Sequence, residues 1–222
     1  VALSGDGGDE AFAGYRRHRA LALARRIDRF VPRALRSLLA RAVGESANGV
    51  GGRSGFGAFR RFATALGLHG DAERQIYWST YFRTRVRERL LHPELREAAD
   101  PDAEAAAEFE RQPGGVVERA LRFDQARYLP DDLLVKMDTA SMAVGLEVRS
   151  PLLDHRIVEF AATLPSHLRD GSGDTKPLLR ALAARLLPPE VATARKRGFG
   201  VPLAAWLRGP FAGVARRVLL SE

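Results

Sequence analysis

The 222-residue chain contains no cysteine, which excludes disulfides, thiolate metal ligands and a thiol nucleophile within these residues. A thiol-dependent reaction would have to occur on another segment, and a chain without disulfides suits the cytoplasm. It also lacks any apolar run near the ~18 residues that a membrane span needs, so no membrane association is expected. The N-terminus, Val1-Ala2-Leu3-Ser4, has neither an initiator Met nor a basic stretch followed by an apolar one. It therefore reads as a cut through a longer chain and not as a signal peptide. Lysine is scarce: Lys136, Lys176 and Lys196 stand among 35 basic residues. In a sequence this rich in Arg, a retained Lys suggests a place where a compact ammonium on a flexible stem cannot be replaced by a planar guanidinium.

What is present is ordinary for a globular protein, with 45% apolar and 28% charged residues, and the length suffices for a buried core. The net charge of +8 is lopsided, because residues 1–100 carry 18 Arg against 11 acids. Such a half could attract nucleic acid or an acidic small molecule, but arginines spread over helix faces read equally well as solvated surface. Apolar residues recur at helical spacing over Tyr15–Val43, where Pro32 splits the pattern into two helices. Residues 44–57 hold six glycines and no apolar period, so a flexible loop is expected there. Helical patterns follow over 55–66, 73–91, 94–112, 116–129, 131–144, 155–164, 177–187 and 203–220. Only Val1–Leu3 and Leu146–Arg149 look extended. A strand that runs into a glycine turn and a helix is the end of a β-turn-α unit, the usual ligand site of an open parallel sheet. The rest of such a sheet is expected upstream.

That turn, Ser4-Gly5-Asp6-Gly7-Gly8-Asp9-Glu10, packs three glycines, three carboxylates and a hydroxyl into seven residues. Glycines let backbone N–H groups approach phosphate or carboxylate oxygens, and the acids could hold a Mg²⁺ bound to that phosphate. An acidic turn with an Asp cap would also account for it. No Lys-Ser or Lys-Thr follows, so it is not a Walker-type loop. Lys176 lies between Thr175, a possible cap, and Pro177, suited to a first helical turn, which sets an ammonium at the positive end of a helix dipole. That placement opposes helix stability and points to an anionic partner. Asp132 and Lys136, four apart, read as an exposed helical ion pair. Arg149, before Ser150-Pro151, could clamp a carboxylate or simply pair with Glu147 or Asp154. Asp154 reads as a helix cap, and the five histidines show no metal-ligand spacing.

The segment SGDGGDEAFAGYRRH closely resembles the signature of asparagine synthetases, S-G-[ED]-G-[GS]-D-E-x-F-x-G-Y. Four further blocks agree in order: YLPDDLLVKMD through Ala140-Ser141-Met142, EVRSPLLD at 147–154, DTKPLLR at 174–180, and RKRGF at 195–199 followed by Pro202. The resemblance implies a mainly α chain forming the C-terminal portion of an α/β, PP-loop ATPase-like synthetase domain, with at most one or two strands at the N-terminus. It implies a two-step ligase in which an aspartate side-chain carboxylate is adenylated by ATP with Mg²⁺, and ammonia from glutamine then displaces AMP. By the same resemblance Ser4 and Gly5 would contact nucleotide or substrate, and Asp9 would bind Mg²⁺-pyrophosphate. Asp6, where many relatives have Glu, would handle the ammonia proton, and Lys176 would stabilise the developing charge. Tyr15 and Arg149 would border the substrate pocket. The family's S-G-G-x-D-S pyrophosphate loop and its glutaminase domain with an N-terminal Cys are absent from these residues and would belong upstream in the parent chain. The isolated segment is therefore expected to be inactive. Two alternatives stay open: a related amidotransferase or lactam-forming ligase acting on another carboxylate, and a basic helical module that binds nucleic acid through residues 16–61.

Overall fold

The computed structural model describes residues 1–43, 55–80, 82, 84–96, 100–169, 175–194 and 201–220. They form two compact units, Val1–Leu182 and Ala183–Glu222. The first is built almost wholly of helices around one short pair of strands. Strand β1 (Ala2–Leu3) leads through the glycine-acid turn into the short helix α1 (Gly8–Ala11). Then come α2 (Arg16–Phe30) and α3 (Arg33–Val43), separated at Pro32 as the sequence predicts, because proline cannot supply the N–H that would continue α2. Helices α4 (Gly55–Leu66), α5 (Asp71–Ser79), α6 (Thr84–Leu90), α7 (Pro93–Arg96) and α8 (Pro101–Arg111) follow. The expected loop at 44–57 lies outside the described residues except for 55–57, which open α4. The two long helices expected over 73–91 and 94–112 are each divided, the second at Pro101, whose fixed φ starts a new helix under the Asp100 cap.

From α9 (Val116–Phe123) the backbone stays helical without a gap through Asp124–Leu134 into α10 (Val135–Met142). The middle stretch is π-helical and contains Pro130. The sequence predicts a break there. The wider i→i+5 turn instead relieves the clash between the proline ring and the preceding carbonyl, so the helix carries the proline internally. Strand β2 (Val148–Arg149), a 3₁₀ turn (Pro151–Leu153), α11 (His155–Thr163), α12 (Ser166–Arg169) and α13 (Pro177–Leu186) complete this part, and the division between the units falls within α13. Among the described residues β1 and β2 form the only sheet, parallel, with Ala2 opposite Val148 and Leu3 opposite Arg149.

The main core is where the apolar faces of α2, α5, α8 and α9 meet: Leu21, Ala72, Phe109, Ala120 and Phe123 are buried together. Phe109 and Phe123 pack edge to face at 5.8 Å, and each such fully buried aromatic contributes about 1.5–3 kcal/mol by removal from water. A smaller cluster decides the layout of the site. Ala11 and Phe12 are buried with Ala161 of α11, and Leu178 and Leu179 of α13 pack against them. This brings the start of α13 beside α1. The second unit holds α14 (Pro189–Ala192), α15 (Leu203–Arg208) and α16 (Ala212–Leu220). The single helix expected over 203–220 is interrupted at Gly209-Pro210, where Trp206 meets Phe211 edge on at 5.9 Å. No helix among the described residues is long and apolar enough to cross a membrane.

Candidate functional site

The glycine-acid turn sits at the C-terminal end of the parallel strand pair, held there by backbone bonds. The Ala2 N–H donates to the Glu147 carbonyl and the Ser4 N–H to the Arg149 carbonyl, both at 2.8 Å. Gly7 takes φ +85°, and a Cβ on it would lie 2.1 Å from Leu153 Cδ2; at Gly8 a Cβ would lie 2.8 Å from Leu152 Cδ1. Gly7 is thus required by the left-handed turn and by the close approach of Leu153, while Gly8 packs closely under Leu152. The block at 147–154 is the floor on which the turn rests. Within the turn the Ser4 hydroxyl donates to Asp6 Oδ2 at 2.6 Å, and the Asp6 N–H donates back to Ser4 Oγ at 3.2 Å. Asp9 and Glu10 fall in the first turn of α1.

Lys176 reaches this turn from the far end of the chain. Its Nζ lies 2.8 Å from Asp9 Oδ1, with the lysine side chain 28% and the aspartate 18% exposed. Both charges are half sheltered yet open to a ligand. Lys176, not Thr175, occupies the position before α13: its carbonyl accepts from the Arg180 N–H at 3.0 Å, and its φ is +57°. A left-handed, non-glycine residue directly before proline is strained, because the proline ring and Cβ both disfavour it. Strain of this kind concentrates at functional positions.

The sequence-predicted site residues thus divide. Asp9 and Lys176 come together, while Ser4, Gly5 and Asp6 lie in the same turn as Asp9. Arg149 is adjacent through its backbone, but its exposed guanidinium binds Glu147 Oε1 at 2.8 Å. The Tyr15 hydroxyl donates to Glu10 and its ring lies under the Arg17 guanidinium. Asp132 and Lys136 make no ion pair with each other, since the π-helical stretch ends between them and both are exposed. Asp154 caps α11, accepting from the Arg156 N–H at 2.9 Å. The block at 195–199 lies outside the described residues.

Behind the turn is a buried polar network that the sequence reading missed. Asp124, fully buried, accepts from Arg17 Nη2 at 2.8 Å and from Gln75 Nε2 at 2.8 Å, and lies 2.6 Å from His18 Nε2. Burial raises the Glu10 carboxyl above its ordinary value of 4.5, against the lowering effect of the Tyr15 hydrogen bond. Burial, and then Glu10, push the Tyr15 hydroxyl well above its usual range. The only sequence signal was the presence of polar residues at helix positions that face the core. Among the described residues no three His, Asp or Glu side chains form a group that could hold a metal. A single carboxylate such as Asp9 could hold a Mg²⁺ only together with oxygens from a phosphate, the usual mode for that ion.

A family model described as asparagine synthase matches residues 1–222. Among curated proteins, asparagine synthetase [glutamine-hydrolyzing] 1 of Bacillus subtilis (strain 168) is 29% identical over 219 residues, 99% of this chain and 33% of that protein. A provisionally named asparagine synthetase [glutamine-hydrolyzing] of Mycobacterium bovis is 30% identical over 209 residues, 94% of this chain and 30% of its own length. Asparagine synthetase [glutamine-hydrolyzing] 3 of Bacillus subtilis is 26% identical over 144 residues, 64% of this chain and 22% of that protein. The chain thus spans about a third of the length of the first two curated relatives. No solved structure matches it.

Proposed function

The chain belongs to the asparagine synthase family, and from that premise we propose that it supplies part of the active site of an ATP-dependent, amide-forming ligase. The observation that carries the reading is the 2.8 Å approach of Lys176 to Asp9, which unites the first and fourth motif blocks. The reaction proposed for the parent protein has two steps. A carboxylate oxygen of aspartate bonds to the α-phosphorus of ATP as the bond from that phosphorus to the β-phosphate oxygen breaks, which gives β-aspartyl-AMP and pyrophosphate. Ammonia, released from glutamine on an upstream glutaminase segment, then adds to the acyl carbon, and AMP leaves as asparagine forms.

Each residue of the turn has a place in this scheme. Lys176 is a mobile point charge that offsets the negative charge growing on the phosphoryl oxygens, a task that depends on donors aimed at the transition state. Asp9 would hold Mg²⁺, which when bound neutralises charge on the leaving pyrophosphate. Ser4 and Gly5 border the nucleotide. Asp6, fixed by the Ser4 hydroxyl, would take the proton that ammonia loses on becoming an amide. Arg149 could turn from Glu147 to an incoming carboxylate, since its side chain is exposed and only locally paired.

The nucleic-acid reading loses two of its guanidiniums, because Arg17 and Arg36 of the basic stretch are sheltered and engaged by an aspartate. Carboxylate-dependent pyrophosphate release by the parent protein is the test. Lys176→Ala is expected to abolish it, and Lys176→Arg to restore little, because a planar guanidinium cannot take the place of the ammonium. Release at near wild-type rate in Lys176→Ala would refute the reading. Release driven by a carboxylate other than aspartate would keep the chemistry and change the substrate.

A further inference from the structure

Asp9 is seated by a turn and not by a long helix. The helix that carries it has four residues, and its Gly7 cap brings no side-chain bond. The chain then reverses: the Gly14 N–H donates to the Asp9 carbonyl at 2.8 Å and Ala13 takes φ +56°. A Cβ on Gly14 would lie 1.9 Å from Asp9 Oδ1. The Asp9 carboxylate therefore rests on the Gly14 backbone, and its position follows that of Gly14 and of the next residue, Tyr15.

Tyr15 is held from several directions. Its hydroxyl donates to the carboxylate of Glu10, the immediate neighbour of Asp9 and itself 1% exposed. The Arg17 guanidinium lies 3.9 Å from the Tyr15 ring centre and 4.6 Å from that of Tyr128, while the two rings meet edge on at 5.6 Å. Arg17 is fixed in turn by Asp124, through Nε at 3.2 Å and Nη2 at 2.8 Å, and Asp124 is locked by His18 and Gln75. A rigid, buried anchor thus ends in a hydroxyl that grips the residue beside Asp9.

We infer that Tyr15 is a positioning residue, which, anchored by Arg17 and Asp124, holds the Asp9 carboxylate where it meets Lys176. Its catalytic consequence rests on the reaction proposed above; its geometric content does not. Tyr15 then serves the site from behind.

The scarcity of lysine makes the test direct, since the chain has only Lys136, Lys176 and Lys196. In ¹⁵N-lysine-labelled protein, the Lys176 ammonium signal is identified by its loss in Lys176→Arg. Tyr15→Phe keeps the ring under Arg17 and removes the hydroxyl that grips Glu10. It is expected to speed solvent exchange of the Lys176 ammonium roughly fivefold, the usual net worth of one hydrogen bond, and to leave Lys136 unchanged. Arg17→Lys keeps a charge for Asp124 but loses the flat face against the two tyrosines, and is expected to do the same. It also carries the readout should Tyr15→Phe fail to fold. A folded variant with a wild-type Lys176 signal would overturn the inference and reduce Tyr15 to a packing residue. In turnover of the parent protein, the Mg²⁺ concentration for half-maximal pyrophosphate release should rise roughly fivefold in Tyr15→Phe while the saturated rate holds, a split that a loss of folded protein cannot produce. If the wild-type parent protein releases no pyrophosphate yet Lys176 responds to Tyr15, the proposed reaction falls and the positioning stands. If it releases pyrophosphate and Lys176 ignores Tyr15, the reverse holds.

Discussion

Gly14 illustrates how a single hydrogen atom in place of a side chain can determine a site. Any Cβ there would meet the Asp9 carboxylate at 1.9 Å, with Asp9 Cα only 2.7 Å away, so the helix backbone itself would have to yield. Gly14→Ala is expected to displace Asp9, and a 1 Å misplacement in such a constellation costs ~10²-fold in rate. Pyrophosphate release by the parent protein, compared with an unchanged far-UV spectrum, checks this. Glu10 yields a second expectation, of pH dependence. Its raised pKa means that the folded chain holds the proton more tightly than the unfolded chain does. Stability from this group is therefore full below its ordinary value of 4.5 and is lost as pH rises through the higher folded value. Glu10→Gln should flatten that decline, measured as denaturant midpoints from pH 4 upward. An unchanged slope would show that Glu10 does not carry it.

At the scale of elements, polar side chains join the helices as much as apolar ones do. Arg74 of α5 is 1% exposed, binds Asp28 of α2 through both terminal nitrogens at 2.7 and 2.9 Å, and donates to the Ala65 carbonyl of α4 at 3.1 Å. Arg36 of α3 reaches the same Asp28 at 2.6 Å, so four helices share one carboxylate-guanidinium knot. Burial alone would raise the Asp28 pKa, but the Arg74 hydrogen bonds and the charges of Arg74, Arg36 and Arg25 lower it on balance. Removing Arg74 breaks a buried pair and leaves Asp28 to Arg36 alone, so Arg74→Met is expected to cost about 3 kcal/mol in chemical denaturation. Asp28→Asn combined with Arg74→Met should recover part of that loss; a purely additive pair would disprove the coupling. The π-helical stretch is the other element-level surprise. It begins at Asp124 and lets Pro130 stand inside a continuous helix, so the anchor for Arg17 and the motif at 128–138 share one rigid rod.

Across the whole molecule, much apolar surface stays in water: Val1 and Leu3 of the edge region are 78% and 75% exposed, Phe30 84%, and Leu219 and Leu220 76% each. Apolar side chains left in water in such number favour association. The 222-residue polypeptide alone is expected to bind a hydrophobic dye and to elute as more than one species in size exclusion, and a sharp monomer peak without dye binding would refute this. The sequence by itself determined the helical class, the strand-turn-helix at residues 2–11, the Pro32 break and the Asp154 cap, and it singled out Asp9 and Lys176 as candidates. Each of these is written in local spacing, in turn chemistry or in a residue type with few substitutes. The packing alone decided that Lys176 meets Asp9, that Thr175 is not the cap, that Arg149 pairs with Glu147 and that Tyr15 faces Glu10. It also decided that Pro130 does not end its helix and that Asp124 collects Arg17, His18 and Gln75. The reason is physical: a local pattern shows which face of a helix is apolar, whereas a buried polar side chain finds its partner only when elements a hundred residues apart are pressed together and water is excluded.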